Sequence, residues 1–154
     1  MRSIDTLLDN YTGDHLNPRN QLIHVVCVPA IVWSVIAALW VIPVPEGLLK
    51  PGAWAALGMF AAWMYYWRLS RTLAMGIFVC FLAAALLNRW LFYRYGAAFL
   101  LELAIGVFVV AWIGQFIGHI YEGHRPSFFT DLVFLMVGPM WTLRKLYQRL
   151  GLGY

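Results

Sequence analysis

Four long apolar stretches constrain the fold of this chain more than any other feature. They cover residues 23–42, 53–67, 72–92 and 97–121. About 20 apolar residues suffice for a helix to cross a bilayer, and the shorter second stretch ends in aromatic residues typical of a membrane interface. Only 12% of the residues are charged, about half the share of a soluble domain. The sequence therefore predicts an all-α, polytopic membrane protein with four transmembrane helices in a single domain, residues 1–154.

A fifth apolar segment, residues 128–141, is too short to cross a bilayer comfortably. Asp131 and the Gly138–Pro139 pair interrupt it. We therefore predict a re-entrant or interfacial helix, and the sequence does not decide between these two placements.

The basic residues predict the orientation in the membrane. With the N-terminus in the cytoplasm and four crossings, eight of the 11 Lys and Arg residues fall on the cytoplasmic side, as the positive-inside rule requires. Five crossings would erase this asymmetry. Both termini are therefore expected in the cytoplasm, at the bacterial inner membrane, or at the endoplasmic reticulum in a eukaryote. The net charge of +4 is then accounted for by contact with lipid headgroups, and no nucleic-acid partner is expected.

Two polar clusters lie at the cytoplasmic ends of the first and fourth predicted spans. The cluster YTGDHLNPRNQLIH (residues 11–24) contains His15 and His24, and the cluster WIGQFIGHIYEGHRP (residues 112–126) contains His119. The orientation rests on basic residues alone, so the arrival of these histidines at one membrane face is independent information. Neutral imidazole is the commonest metal ligand, and redox iron is often held by two or three histidines. The sequence thus predicts a metal site at this face.

Polar and small residues surround the predicted ligands. Steps of three and four residues place Gln115, His119 and Glu122 on one helix face. We predict that Gln115 and Glu122 take part in catalysis, Glu122 as a metal ligand or a hydrogen-bond acceptor. Gly114 and Gly118 flank this face and permit close helix approach. The further candidates for fixing the imidazoles are Asn17, Asn20 and Asp131.

The two clusters together resemble a family of small membrane proteins of bacteria and fungi, formerly a domain of unknown function. The resemblance runs from Tyr11 to about Trp141, through HLNPRNQLIHVVCVP and WIGQFIGHIYEGHRPSFFTDLVFLMVGP. The characterised fungal member is an iron(II)-dependent dioxygenase of 2-hydroxy fatty acids in the endoplasmic reticulum, which serves α-oxidation and shortens the chain by one carbon. The resemblance implies Fe(II) bound by His15, His24 and His119, with a 2-hydroxy fatty acid and dioxygen as substrates.

The resemblance also implies where the substrate would lie. A site at the cytoplasmic face would hold the headgroup at the metal, while the acyl tail stays among apolar helices and membrane lipid. Arg19 or Arg125 is the candidate partner of the carboxylate, because a guanidinium group matches it in two hydrogen bonds.

Other functions stay open on the sequence alone. A haem-binding membrane subunit would use His24 and His119 as axial ligands. A non-enzymatic membrane scaffold would use the polar helix face only for packing and would bind no stoichiometric metal. Three histidines would also suit zinc. The sequence leaves open whether Glu122 or His124 binds the metal, and it does not give the oligomeric state.

Overall fold

The prediction of an all-α protein is confirmed, since the described residues form five helices and no strand. The computed structural model describes residues 3–13, 15–45, 47–122 and 128–153, and the side chains of all of these except residues 3 and 128–135. In chain order the helices are α1 (Ser3–Gly13), α2 (Pro18–Trp40), α3 (Ala53–Leu69), α4 (Arg71–Glu122) and α5 (Phe128–Arg149).

Polar residues start α2 five residues before the predicted apolar stretch. The Oδ1 atom of Asn17 accepts a hydrogen bond of 2.9 Å from the backbone N–H of Arg19, which caps the helix. Pro18 occupies the first helical turn, where its missing N–H costs nothing. His24 therefore lies in the second turn of α2, after a polar first turn.

The last three predicted spans correspond to α3 and to two segments of α4. Ser70 has extended backbone angles and separates α3 from α4. Gly96 breaks α4 into residues 71–95 and 97–122, with a φ of 89° and a ψ of 170°, angles that only glycine adopts at no cost. Among the described helices, α2 and α4 are long and apolar enough to cross a membrane, while α3 has 17 residues.

Most apolar side chains of α4 face outward. In the most apolar window of this helix only 17% of the residues are buried, against 33% in α2. Val110 and Ile120 are 69% and 76% exposed. Soluble monomers rarely expose contiguous apolar surface on this scale, so the outer face of α4 is suited to lipid.

The apolar pattern did not predict α1 or the second half of α5. Helix α5 continues through Gly138 and Pro139, which we expected to interrupt it, and ends eight residues past the predicted end, at Arg149. Leu8 of α1 and Trp141 of α5 are buried in one cluster at 0% and 1% exposure. Short helices gain most of their stability from such tertiary packing, which the sequence pattern of each helix alone does not show.

Two glycines of α4 bring it against α2, as the small-residue spacing predicted. A Cβ atom on Gly118 would overlap the Oδ1 atom of Asn20, and one on Gly114 would lie 2.6 Å from the Sγ atom of Cys27. No side chain fits at either position unless the contacting side chain of Cys27 or Asn20 moves. The close approach sets the start of α2 beside the end of α4, and this is where the predicted site lies.

Candidate metal centre

Three histidines converge where α1, α2 and α4 meet. His15 follows α1, His24 lies near the start of α2, and His119 lies in the last turn of α4. Their exposure is 2%, 3% and 9%. One nitrogen from each ring lies within 4.8 Å of the other two. Residues far apart in the sequence therefore form one buried cluster of imidazoles.

The hydrogen bond of His15 determines which of its nitrogens can bind a metal. Its Nδ1 atom lies 2.7 Å from the backbone carbonyl oxygen of Tyr11. A carbonyl oxygen only accepts, so we assign the proton to Nδ1. The lone pair then lies on Nε2, the form in which a histidine binds a metal.

One ring nitrogen of His24 also has a hydrogen-bond partner, and the other has none. Its Nδ1 atom lies 3.2 Å from the hydroxyl oxygen of Tyr11, while its Nε2 atom is buried without a hydrogen-bond partner. A buried polar atom left unsatisfied costs about 1–3 kcal/mol. A metal ion bound to Nε2 would remove that cost.

The donor set fits a small transition-metal ion. Two nitrogens bound to one ion at about 2.0–2.1 Å lie roughly 3–4 Å apart, and the observed nitrogens lie within 4.8 Å of one another. Small side-chain rotations would close the difference. Soft sulfur ligands are absent from the cluster, and imidazole suits iron and zinc alike.

Tyr11 supports the cluster, and the sequence analysis gave it no role. Its ring stacks on that of His15 with centroids 4.3 Å apart and 11° between the planes. Its carbonyl and hydroxyl groups contact His15 and His24. Trp141 packs beside both rings, with its own ring 5.1 Å from that of Tyr11 and 6.0 Å from that of His15. The sequence carried no clear signal for the contact of Tyr11 with His15, because His15 lies past the end of α1 and helical spacing does not relate it to Tyr11.

Glu122 fastens the loop that carries His15 to the end of α4. Its carboxylate accepts hydrogen bonds from the backbone N–H groups of Leu16 at 2.7 Å and Asn17 at 3.0 Å, and from Nδ2 of Asn20 at 2.8 Å. Partial burial raises the pKa of this carboxyl, but the three hydrogen-bond donors outweigh burial and leave the pKa below its usual value. The carboxylate is therefore ionised and sits at the N-terminus of α2, where the helix dipole favours it.

Comparison with known proteins places these residues in a family. The model of a family described as 2-hydroxy-palmitic acid dioxygenase Mpo1-like matches residues 1–150. The chain belongs to this family. It is 30% identical over 144 residues to the 2-hydroxy-palmitic acid dioxygenase MPO1 of Saccharomyces cerevisiae, covering 92% of this chain and 78% of the yeast protein. No solved structure matches. The resemblance predicted from the two polar clusters is confirmed.

In this Mpo1-like chain, Asn17 and Asn20 were predicted to support the imidazoles. Their hydrogen bonds instead join the start of α2 to the end of α4. Asn17 caps α2 and donates from Nδ2 to the carbonyl oxygen of Tyr121 at 2.9 Å. Asn20 is fully buried between Glu122 and Gly118. Together these contacts fix the start of α2 to the end of α4. If the histidines bind a metal, these two residues would orient its ligands only indirectly.

The remaining predicted residues divide into three cases. Gln115 lies one turn before His119 and is 7% exposed, with an Oε1 atom that is buried and has no hydrogen-bond partner. The guanidinium group of Arg19 lies 5.6 Å from the ring centroid of Tyr121, on the exposed side of α2. The predicted residues Arg125 and His124, and the side chain of Asp131, lie outside the described residues.

Proposed function

We propose that this protein is an iron(II)-dependent dioxygenase that removes one carbon from 2-hydroxy fatty acids. The observation that carries the proposal is the buried cluster of His15, His24 and His119, with the Nε2 atom of His24 lacking a partner. The cluster occurs in a family whose yeast member is named a dioxygenase of 2-hydroxy-palmitic acid. Three histidines leave coordination positions open, which redox iron needs and which a closed structural zinc site lacks.

The chain's own residues have distinct roles in this proposal. His15, His24 and His119 bind the ion, and Tyr11 fixes the orientation of the first two rings. Burial of the cluster excludes bulk water from the reacting groups. Bound iron(II) supplies the activation of dioxygen. In the overall reaction, one 2-hydroxy acid and one dioxygen give an acid one carbon shorter, carbon dioxide and water.

We further propose that the protein crosses the membrane four times, through α2, α3 and the two segments of α4. The support is the outward apolar face of α4, the break at Gly96 and the bias of basic residues toward one side. In this arrangement both termini and the histidine cluster lie at the cytoplasmic face, in a bacterium at the inner membrane. A substrate headgroup reaches such a site from the membrane surface.

Metal analysis tests the proposal. Anaerobically purified protein is analysed by ICP-MS as wild type and as His15→Ala, His24→Ala and His119→Ala, with circular dichroism as the check on folding. We expect about one iron per chain in the wild type and its loss in each variant. His124→Ala in the same series determines whether the fourth histidine is a ligand. Conversion of 2-hydroxypalmitic acid to the C15 acid is then followed by mass spectrometry.

The same experiment separates the alternatives. A wild-type protein without metal, prepared under conditions that keep iron(II) reduced, would contradict the dioxygenase and favour a membrane scaffold. Zinc in place of iron would keep the site but not the redox chemistry. A haem subunit would show a Soret band; the cluster disfavours it, because the ring of His15 lies 4.3 Å from that of His24 and 5.6 Å from that of His119. A macrocycle between His24 and His119 would meet this third ring.

A further inference from the structure

A long groove runs beside the histidine cluster, between α2, the first segment of α4 and the second half of α5. Its volume is about 690 Å³, within the range of about 300–1,000 Å³ that is usual for small-molecule sites. Its walls are mainly aliphatic and aromatic, including Val25, Pro29 and Ile36 of α2, Ala84 and Leu87 of α4, and Leu146 of α5.

The length of the groove matches a long acyl chain. Along α2 its lining runs from Pro18 to Ile36, which at 1.5 Å per residue corresponds to about 27 Å. The hydrocarbon core of a whole bilayer is about 30 Å thick, so an acyl chain that fills one leaflet spans about half that distance, which is less than the length of the groove. The groove therefore has room for one extended long chain, and a short acid would leave most of it empty.

Among the described residues that line the groove, the charged side chains lie at one end and are positive. Lys145 and Arg149 of α5 line it together with Gln21 of α2. The Nζ atom of Lys145 donates to the Oε1 atom of Gln21 and lies 4.1 Å from the ring centroid of Trp141. Thr142, which also lines the groove, has a buried hydroxyl without a hydrogen-bond partner. An apolar groove with a cationic, hydrogen-bonding end is complementary to a carboxylate on a long alkyl chain.

The polar end adjoins the histidine cluster. The ring of Trp141 lies 6.0 Å from the ring of His15 and separates it from Lys145. Gln21 donates from Nε2 to the backbone carbonyl oxygen of His15 at 2.6 Å. A headgroup at this end would thus lie at the depth of the cluster, with its chain directed away along α2.

We infer that this groove binds the acyl chain of a free long-chain fatty acid, with Lys145 pairing with its carboxylate. That the acid is the 2-hydroxy substrate of the histidine cluster rests on the proposed function. The sequence predicted Arg19 or Arg125 as the partner of the carboxylate. The guanidinium group of Arg19 lies on the ring of Tyr121, and Arg125 lies outside the described residues.

Photo-crosslinking tests the inference. The probe is palmitic acid with a diazirine at its ω end, added to the detergent-purified full chain with a metal chelator present, and labelled peptides are identified by mass spectrometry. We expect labelling at the apolar end of the groove, on α2 near Ile36 and on the first segment of α4 near Leu87. Ala84→Trp, which fills the groove, lowers labelling at least tenfold, whereas Ala61→Trp on the exposed side of α3 leaves it unchanged.

A second variant tests the contact between Lys145 and the carboxylate. Lys145→Met weakens palmitate binding about tenfold, as for the loss of one charge-assisted hydrogen bond, and leaves binding of the neutral hexadecanol unchanged. Lys50→Met, in the exposed loop before α3, is the matched control. Equal loss for palmitate and hexadecanol would contradict the carboxylate contact. Lys145 lies on the groove's rim, so we expect Lys145→Met to fold. The comparison of palmitate with hexadecanol therefore tests the inference even if Ala84→Trp does not fold.

Two results would overturn the inference. Labelling spread over the outward faces of the helices would place the chain outside the groove. Displacement of the probe by phosphatidylcholine as readily as by palmitate would assign the groove to ordinary bilayer lipid. The probe lacks the 2-hydroxyl group and the assay needs neither iron nor dioxygen. Failure of the proposed dioxygenase reaction and failure of this groove would therefore be seen separately.

Discussion

Tyr11 is the residue on which the geometry of the histidine cluster depends most. It contacts two of the three imidazoles by three different means: ring stacking, a backbone carbonyl and a hydroxyl group. Residues that hold metal ligands in orientation typically account for 10–100-fold in metal affinity. The hydroxyl can be removed without disturbing the stacking, so its contribution is measurable.

We expect Tyr11→Phe to weaken metal binding by about 10–100-fold with little change in thermal unfolding, because the ring and its packing stay in place. The measurement is metal affinity by chelator competition beside a thermal unfolding curve in detergent. Tyr65→Phe, on a tyrosine that is 40% exposed on α3, is the control. An unchanged affinity in Tyr11→Phe would show that the hydroxyl does not orient His24.

The sequence predicts the histidines but not their surroundings, for a physical reason. The three histidines are rare polar residues in an apolar chain, and topology alone places them at one face. The contacts of Tyr11 and Glu122 instead depend on how α1 and the loop before α2 fold back onto α4. Glu122 has the right spacing from His119 to suggest a ligand, yet its carboxylate accepts three hydrogen bonds from the start of α2. The spacing of residues along one helix does not predict which residues of another helix they contact.

At the scale of elements, the site depends on the close contact between α2 and α4. The absence of a side chain at Gly118 makes room for Asn20, which in turn donates to Glu122. The spacing of small residues predicted a close helix approach at this face of α4, but not that α2 is the partner. It did not predict α1, whose few apolar residues are buried in a cluster with residues of α3, α4 and α5, nor the continuation of α5 past Pro139.

We expect Gly118→Ala to destabilise the protein by about 1–3 kcal/mol, the usual cost of overpacking, and to weaken metal binding, since the added Cβ atom displaces Asn20. Gly106→Ala on the same helix is the matched control, because nothing lies within 4 Å of its added Cβ atom. That variant should be equally stable, or more stable by up to about 1 kcal/mol through helix propensity. Thermal unfolding and metal titration measure both. Equal behaviour of the two variants would mean that helix contact at Gly118 does not support the site.

At the scale of the whole molecule, the proposed membrane arrangement would determine how a lipid substrate reaches the proposed metal site. The histidine cluster and the cationic end of the groove share one end of the molecule, and the groove extends from there along α2. If that end faces the cytoplasm, an acid in the inner leaflet presents its carboxylate to Lys145 without leaving the bilayer. The orientation is thus a premise of this route from the inner leaflet, and it rests on the bias of basic residues.

Cysteine labelling in intact bacterial cells tests the orientation. In a background with Cys27 and Cys80 replaced by alanine, Lys50→Cys lies in the exposed loop between α2 and α3, and Gln148→Cys lies exposed in the last turn of α5. We expect a membrane-impermeant maleimide to label position 50 in intact cells and position 148 only after permeabilisation. Labelling after permeabilisation confirms that each thiol is reactive. The reverse pattern would put the histidine cluster on the periplasmic face. Labelling of both positions in intact cells would indicate an even number of crossings between them, which contradicts the three crossings of the proposed arrangement and a cytoplasmic C-terminus.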